Sequence, residues 1–292
     1  MTYNDLIARL APLYGRQEAQ AVVRTVLDAL WGMSLTDICC GKVTQLSAED
    51  ATRLDKIMRR LEKSEPVQYA LGEAWFAGRR FGVGPSVLIP RPETEGLAAW
   101  AADTGRAMCA AGGTPGQPRP LSVLDIGTGS GCLAVTLALD MPGASVTAWD
   151  ISPRALDIAR DNARRLAAPV SFVLQDALHA PHDSCRWHVV VSNPPYICER
   201  ERASMHANVL GHEPHTALFV PDDDPLLFYR AIARYAAAAL VPGGALLFET
   251  NTLYAADVAR LMEREGLERA EVRPDCFGRP RMVRAFRGDN NK

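Results

Sequence analysis

The 292-residue sequence has no excess of charge of either sign, since 32 Lys and Arg residues stand against 34 Asp and Glu residues. A net charge of −2 gives no global positive field toward nucleic acid, so we expect no direct nucleic-acid partner. No apolar run approaches the roughly 18 residues needed to span a bilayer, so we expect no membrane partner. Hydrophobic residues make up 48% of the chain, which argues against disorder.

The seven cysteines include no pair in C-x-x-C spacing, and their number is odd. With six scattered histidines, this pattern excludes a disulfide framework and supplies no zinc-ligand set. We therefore expect free thiols in a reducing cytoplasm and no bound metal. The first residues carry no basic stretch followed by an apolar run, so we also expect no signal peptide.

Residues 1 to about 70 predict a small helical domain. Apolar residues recur at helical spacing over Leu6–Leu13 and again over Val22–Leu30. A third helix is predicted from Ser47, where Asp50 gives an acidic variant of the capping box, and Glu65-Pro66 breaks it. Both a structural brace and a substrate-docking module remain open for this segment, and we assign residues 1–70 to substrate docking.

Residues 71–90 are rich in glycine between aromatic and β-branched residues, which predicts a hairpin linker. Residues 91–292 form the third predicted region, in which Gly112–Pro118 is expected to be an exposed loop. From residue 121 onward, strand and helix patterns alternate, and this predicts a parallel, doubly wound α/β sheet. The predicted strands are Leu121–Ile126, Ser145–Trp149, Val170–Leu174, His188–Ser192 and Gly244–Glu249, and the helices are Cys132–Leu139, Pro153–Leu166, Leu226–Leu240 and Tyr254–Glu265.

A glycine-rich segment, Asp125–Gly131, lies between the first of these strands and the helix that follows it. Glycines let a ligand approach the backbone closely, and a helix N-terminus supplies free N–H donors. Asp150 ends the next strand, where a carboxylate can accept both hydroxyls of a ribose. The combination predicts a site for a nucleoside-bearing cofactor; the alternative is a purely structural turn. The residues of the turn are Gly127, Thr128, Gly129, Ser130 and Gly131.

The tetrapeptide Asn193-Pro194-Pro195-Tyr196 directly follows the strand that ends at Ser192. Two prolines remove two N–H donors and hold the backbone extended, so the nearby carbonyls are free to accept from a ligand. The Asn193 side chain adds a donor and an acceptor, and Tyr196 offers a flat face. We predict a clamp for a planar amide or amino group at the carboxyl end of the sheet; the alternative is a structural turn.

The chain resembles the Rossmann-like class I S-adenosylmethionine-dependent methyltransferases that modify planar nitrogens. The resemblance is carried by three features in this order: D-x-G-x-G-x-G, the strand-end acid and N-P-P-Y. The segment V-L-I-P-R-P-E-T-E at residues 87–95 is similar to the HemK-type protein-(glutamine-N5) methyltransferases of peptide chain release factors. The resemblance covers nearly the whole chain. Its other elements are Glu65-Pro66, Gly72-Glu73, Phe76, Glu213-Pro214, Thr216-Ala217-Leu218 and Asp275-x-x-Gly278-x-x-Arg281.

This resemblance implies methyl transfer from S-adenosylmethionine to the glutamine amide in the Gly-Gly-Gln loop of class I release factors, with S-adenosylhomocysteine as product. Gly127, Gly129 and Gly131 would pass along the methionine moiety. Asp125 would orient the turn or meet the cofactor's amino group, and Asp150 would take the ribose. Asp176 would meet the adenine amino group or merely cap a helix, and Ala177 stands where some relatives carry an aromatic ring.

On the substrate side, the resemblance implies that Asn193 and the Pro194 carbonyl accept the glutamine N–H groups, within the catalytic set Asn193, Pro194, Pro195 and Tyr196. Asn193 would also border the cofactor. Arg91 and Glu93 would lie in a loop beside the glutamine pocket, with a solvated turn as the alternative. Phe81 would wall the same pocket, with core packing as the alternative.

Three other functions stay open. A related family with N-P-P-Y methylates glutamine in a ribosomal protein, and adenine-N6 DNA methyltransferases share the same tetrapeptide. Against the nucleic-acid enzyme, the sequence has no separate target-recognition domain and no basic stripe. The third alternative is a protein that binds the cofactor without catalysis. We expect a monomer.

Overall fold

The computed structural model describes residues 1–112, 120–205 and 207–288, so the predicted loop at Gly112–Pro118 lies almost entirely outside the described residues. Within these ranges the chain forms two compact units. The first contains Met1–Glu73 together with Met205–His212, and the second contains Ala74–Ser204 and the chain from Glu213 onward. None of the helices in the described ranges has the length and hydropathy needed to cross a membrane.

The first unit is helical and has its own apolar core, which includes Leu10, Leu27 and Met58. The Ser47 hydroxyl caps the fourth helix by accepting the Asp50 N–H at 3.0 Å, close to the predicted start. Leu13, predicted on the apolar stripe, is exposed instead. The helices are α1 (Tyr3–Tyr14), α2 (Arg16–Trp31), α3 (Leu35–Cys39), α4 (Ala48–Leu61), α5 (Val67–Leu71) and, from the later part of the chain, α9 (Ala207–His212).

The second unit is built on a seven-stranded sheet of order β10-β11-β9-β6-β3-β4-β5. The five strands from β9 to β5 are parallel, as the alternating pattern predicted. The strands are β3 (Ser122–Ile126), β4 (Ser145–Asp150), β5 (Val170–Leu174), β6 (Trp187–Ser192), β9 (Leu240–Glu249), β10 (Leu267–Pro274) and β11 (Pro280–Arg287).

Two further strands at one end of the sheet were not predicted, and they are antiparallel. β11 pairs antiparallel with β9, and β10 pairs antiparallel with β11. A short turn joins β10 to β11, and an antiparallel pair of this kind needs no crossover helix. The alternation of helices and strands therefore gave no signal for these two strands, whose residues are also rich in charge.

Helices cover both faces of the sheet and enclose two apolar cores. No pattern in the sequence predicted α6, whose apolar residues are mixed with three glycines. At one of them, Gly105, a Cβ would lie 2.6 Å from the Met141 sulfur. The helices of this unit are α6 (Pro92–Gly112), α7 (Cys132–Asp140), α8 (Pro153–Arg165), α10 (Leu227–Ala239) and α11 (Ala255–Arg264). Two small sheets complete it, β1 (Glu73–Phe76) with β2 (Arg79–Gly82), and β7 (Ile197–Cys198) with β8 (Phe219–Val220).

The parallel register brings the ends of the central strands to one edge of the sheet. Ile126 at the end of β3 lies opposite Trp149 of β4 and Ser192 of β6. Ser192 in turn lies opposite Phe248 of β9. Asp150, the glycine turn, Asn193 and Glu249 therefore follow one another along a single carboxyl edge, which is where open α/β sheets place their ligand sites.

Candidate active site

A cavity of about 380 Å³ opens at this carboxyl edge, and all its walls belong to the second unit. It combines residues of the glycine turn with the Asn-Pro-Pro segment, although more than 60 residues separate them in sequence. Of the residues predicted for the site, those lining the cavity are Arg91, Gly127, Thr128, Gly129, Ser130, Asp150, Asp176, Asn193, Pro194 and Pro195. Five others are not in its walls: Phe81, Glu93, Asp125, Gly131 and Tyr196.

The glycine turn needs glycine at its exposed positions. Gly127 and Gly129 have φ of +77° and +55°, a left-handed conformation that side chains disfavour. No protein atom lies within 4 Å of the Cβ that either position would carry, so both open onto free space at the cavity wall. Gly131 differs, because a Cβ there would lie 3.0 Å from the Cβ of Ala159 on α8. It permits close helix packing rather than contact with a ligand.

Asp150 holds the turn from the neighbouring strand. Its Oδ2 accepts the Gly129 N–H at 2.8 Å, and its Oδ1 accepts the Ser152 N–H at 2.8 Å. Burial raises the pKa of this carboxyl, although the backbone hydrogen bonds oppose the rise. A carboxylate has about four lone-pair directions, so Asp150 keeps acceptor capacity on the cavity side.

Asp125 lies fully buried beneath the turn. Its Oδ2 accepts from the Thr128 hydroxyl at 2.7 Å and from the Ala134 N–H at 3.2 Å. Burial raises its pKa to about 7, against the effect of those hydrogen bonds. Of the two roles suggested for Asp125, orientation of the turn matches this position, because the residue is outside the cavity wall.

Asn162 is a residue of this region that the sequence did not reveal. From the buried side of α8, its Nδ2 donates to the Ser130 carbonyl at 2.8 Å and to the Gly82 carbonyl at 2.9 Å. Its Oδ1 accepts the Gly82 N–H at 2.6 Å. The glycine turn is thereby tied to β2. A lone Asn inside a polar helix carries no local signal for this function.

Asp176 caps a short 3₁₀ turn, as one of its two alternatives predicted, and it also lines the cavity. Its carboxylate accepts the Leu178 N–H at 2.8 Å and lies 2.7 Å from His179 Nδ1. Burial raises the pKa of this carboxyl, but the contacts with His179 and Leu178 together lower it by more, so the net shift is downward. Ala177 and Phe228 line the same cavity, so an aromatic ring is present there although residue 177 carries none.

Asn193 is joined to a buried carboxylate through one hydroxyl. Its Nδ2 donates to Thr94 Oγ1 at 3.2 Å, and the Thr94 hydroxyl donates to Glu249 Oε2 at 2.6 Å. The Glu249 side chain is buried, and burial raises its pKa while Thr94 and Arg281 oppose the rise. Sequence reasoning placed Glu249 only at a strand end and gave Thr94 no role, because nothing in either local segment marks the connection.

Tyr196 does not present its ring to the cavity, so the prediction of a flat face there was wrong. Its hydroxyl donates to Glu249 Oε1 at 3.2 Å and lies 3.4 Å from Arg281 Nη1. The Arg281 Nε donates to Asp275 Oδ2 at 3.0 Å. Burial raises the pKa of Tyr196 well above its usual range, and the Glu249 charge raises it further. Tyr196 therefore anchors the Asn-Pro-Pro segment through Glu249, outside the cavity wall.

Arg91 pairs with Glu213 and not with Glu93. Its Nη2 lies 2.6 Å from Glu213 Oε1, and the Glu213 side chain is only 1% exposed. This ion pair connects the segment before α6 to the segment that continues into Pro214 and Thr216 at the cavity wall. Glu93 lies in the first turn of α6. The alternative prediction for Arg91, a solvated turn, is therefore wrong, because the side chain pairs with a buried residue distant in sequence.

Phe81 was predicted to wall the substrate pocket, and the structure places it elsewhere. Its side chain is fully buried in the apolar core and meets Phe76 edge to face, with ring centroids 6.0 Å apart. Phe81 is therefore a core residue, which was the alternative prediction from the sequence. Within the described ranges, no group of three His, Cys, Asp or Glu side chains is arranged to hold a metal.

The sheet with its antiparallel end, the glycine turn, the strand-end Asp150 and the Asn-Pro-Pro segment define the class of this protein. They are the features of a class I S-adenosylmethionine-dependent methyltransferase. The methyltransferase small domain model matches residues 116–218. The PrmC N-terminal domain model matches residues 3–72.

Curated relatives identify the family within that class. A release factor glutamine methyltransferase of Bacteroides thetaiotaomicron is 43% identical to this chain. The matching region covers 95% of this chain and 96% of the relative. One of Flavobacterium psychrophilum is 34% identical, covering 96% of each chain. The chain belongs to the release factor glutamine methyltransferase family.

A solved structure supports the fold. The hMettl16 catalytic domain, in complex with a MAT2A 3′UTR hairpin, matches with a TM-score of 0.54 over 84% of each chain. Its sequence is 15% identical, so the likeness concerns the fold alone.

Proposed function

We propose that this protein transfers the methyl group of S-adenosylmethionine to the side-chain amide nitrogen of the glutamine in the Gly-Gly-Gln loop of class I peptide chain release factors. One observation supports this most directly: the glycine turn and the Asn193-Pro194-Pro195 segment open onto the same cavity. A methyl donor bound at the first and a planar amide held at the second would meet inside it.

The residues present fit S-adenosylmethionine. The missing Cβ atoms of Gly127 and Gly129 leave room against the cavity wall, where a methionine moiety can lie along the backbone. Asp150 has acceptor capacity for the ribose hydroxyls, and Asp176 lies at the cavity wall where it can accept from the adenine amino group. When bound, the cofactor supplies an electrophilic methyl group on a sulfonium centre.

The acceptor amide needs help from the protein, because its nitrogen lone pair is delocalised into the carbonyl. Asn193 and the Pro194 carbonyl would each accept one amide N–H, which aims the nitrogen and stabilises the positive charge that grows on it. Holding the nitrogen at near-attack distance removes much of the entropic barrier. Pro195 keeps this backbone extended, and the Arg91–Glu213 ion pair stiffens the neighbouring wall.

The proposed partner is a protein, the release factor, and we propose a monomeric, cytoplasmic enzyme without a nucleic-acid partner. The near-balanced charge supports the last point, since phosphate binding draws on an excess of Lys and Arg. No disulfide joins cysteines within the part of the chain that the structure describes, which agrees with a reducing compartment. Sedimentation of the purified protein tests the monomer.

The test is methyl transfer from labelled S-adenosylmethionine to a purified release factor, with the modified residue located by mass spectrometry. We expect one methyl group on the glutamine of the Gly-Gly-Gln loop. The matched control is a release factor with that glutamine changed to alanine, which should gain none. Tight cofactor binding without transfer to the release factor would contradict the proposal and direct the search to ribosomal protein.

A further inference from the structure

A buried carboxylate close to the cavity is not explained by the proposed contacts to cofactor and substrate. Glu249 is 1% exposed, and its two oxygens face two hydroxyl groups, those of Thr94 and Tyr196. Burying a charge is costly unless it is well paired and hydrogen-bonded. Its position at the end of β9, beside the segment that follows β6, suggests that it acts on Asn193.

The direction of each hydrogen bond follows from which groups can donate. A carboxylate only accepts, so the single Thr94 proton points to Glu249 Oε2. A guanidinium only donates, so the Tyr196 oxygen receives Arg281 and its own proton points to Glu249 Oε1. Both carboxylate oxygens are therefore engaged by donors.

This leaves Thr94 with lone pairs and no proton for Asn193. The group of Asn193 that faces Thr94, at 3.2 Å, must be the donor Nδ2. The side-chain amide is planar, so Oδ1 points away from the Thr94 hydroxyl, and Asn193 itself lines the cavity. The reversed amide would place two acceptors together at Thr94.

We propose that Thr94 and Glu249 are positioning residues that fix the sense of the Asn193 amide, so that its oxygen faces the cavity and accepts an N–H from the substrate amide. This inference rests on the proposed function, because only a substrate that donates N–H needs an acceptor there. A reversed amide would present N–H to N–H and leave the substrate unheld.

The first experiment compares Thr94→Val, Thr94→Ser and wild type in methyl transfer to the release factor. We expect Thr94→Val to lower kcat by at least about tenfold, the loss of one aligned hydrogen bond. The affinity for S-adenosylmethionine should change by less than about threefold, and Thr94→Ser should restore most of kcat. Thr104→Val is the matched control, since its buried hydroxyl on the same helix bonds to Trp100 and Arg284 outside the cavity.

A double-mutant cycle tests the polarity itself and decides the matter if Thr94→Val does not fold. Glu249→Gln can donate to Thr94 and so reverse the relay. The carboxylate of the Asn193→Asp variant presents an acceptor oxygen to the cavity whichever way the side-chain group is turned. We therefore expect Asn193→Asp to be less harmful in the Glu249→Gln background than in the wild type, by at least about tenfold in kcat. If Asn193→Asp lowers kcat by the same factor in the Glu249→Gln background as in the wild type, the proposal is overturned.

A readout without turnover separates this inference from the proposed function. In protein labelled with ¹⁵N at asparagine side chains, the Asn193 amide resonance is assigned by its absence in Asn193→Asp. We expect its hydrogens to exchange slowly with solvent in the wild type and at least about tenfold faster in Thr94→Val. Equal exchange in both would refute the relay, whether or not the release factor is the substrate.

Discussion

The glycine-turn side of the cavity, residues 127–130 with Asp150, is built mainly from backbone and from two consecutive strands. The Asn193 side takes its residues from four distant parts of the sequence and joins them by side-chain hydrogen bonds. These residues are Thr94, Asn193 with Tyr196, Glu249 and Arg281. A backbone turn offers a ligand groups that every residue has, and its glycines are what the local sequence shows. A polar relay depends on each side chain, and a single change interrupts it.

The largest effect should follow from Asn193→Ala, which removes the proposed acceptor for the substrate amide. We expect kcat to fall by about 10³-fold, as when a preorganised hydrogen-bonding group is lost from an active site. Cofactor affinity, measured by calorimetry, should stay within about threefold of wild type. Turnover that survives within a few-fold would refute the role of Asn193.

Asp150→Ala should give the opposite pattern, with weaker cofactor binding as its main effect. The loss of hydrogen bonds to a charged acceptor predicts an affinity for S-adenosylmethionine lower by about 10- to 100-fold. The matched control is Asp157→Ala, which removes an exposed carboxylate on α8 that pairs with Arg160. Unchanged affinity in Asp150→Ala would contradict the ribose role.

Asp125→Asn should change how stability depends on pH. The folded pKa of about 7 exceeds the unfolded value near 3.8, so the folded state holds an extra proton between them. The free energy of unfolding of the wild type should therefore fall, relative to the variant, as pH rises from about 4 to about 7. We expect a relative loss of about 3 kcal/mol in urea titrations, because each unit of pKa difference corresponds to about 1.4 kcal/mol. A difference that is constant with pH would show that Asp125 is not titrating there.

The smallest effect is expected for Phe81→Leu, which keeps a large apolar side chain in the core. We predict a stability loss of no more than about 1.5 kcal/mol in thermal unfolding, with the KM for the release factor unchanged. A raised KM with normal stability would return Phe81 to the substrate pocket.

The contrast between the two sides also explains how much could be read from the sequence. The parallel strands, the helices between them and the glycine turn were predicted, because each leaves a contiguous pattern of apolar residues or glycines. The N-P-P-Y segment was recognised as unusual for the same reason. Strand-end Asp150 followed from its spacing after the turn.

The missing parts are those that depend on tertiary contact. Glu249 and Thr94 are ordinary residues in their own segments, and only the register of β6 with β9 brings Glu249 beside Asn193. Tyr196 was assigned to the cavity from its flat ring and Phe81 from the family resemblance, whereas packing places neither side chain in the cavity wall. β10 and β11 escaped prediction because a hairpin of charged residues leaves no alternating apolar pattern.

The central claim is that the Asn193 side presents an acceptor to an amide nitrogen, so that the methyl group is transferred to nitrogen. The most direct measurement uses S-adenosylmethionine with a ¹³C-labelled methyl group and a release factor labelled with ¹⁵N in its glutamine side chains. NMR of the product should show a methyl carbon bonded directly to ¹⁵N at the Gly-Gly-Gln glutamine. A transferred methyl without that one-bond coupling, or on any other residue, would contradict the account.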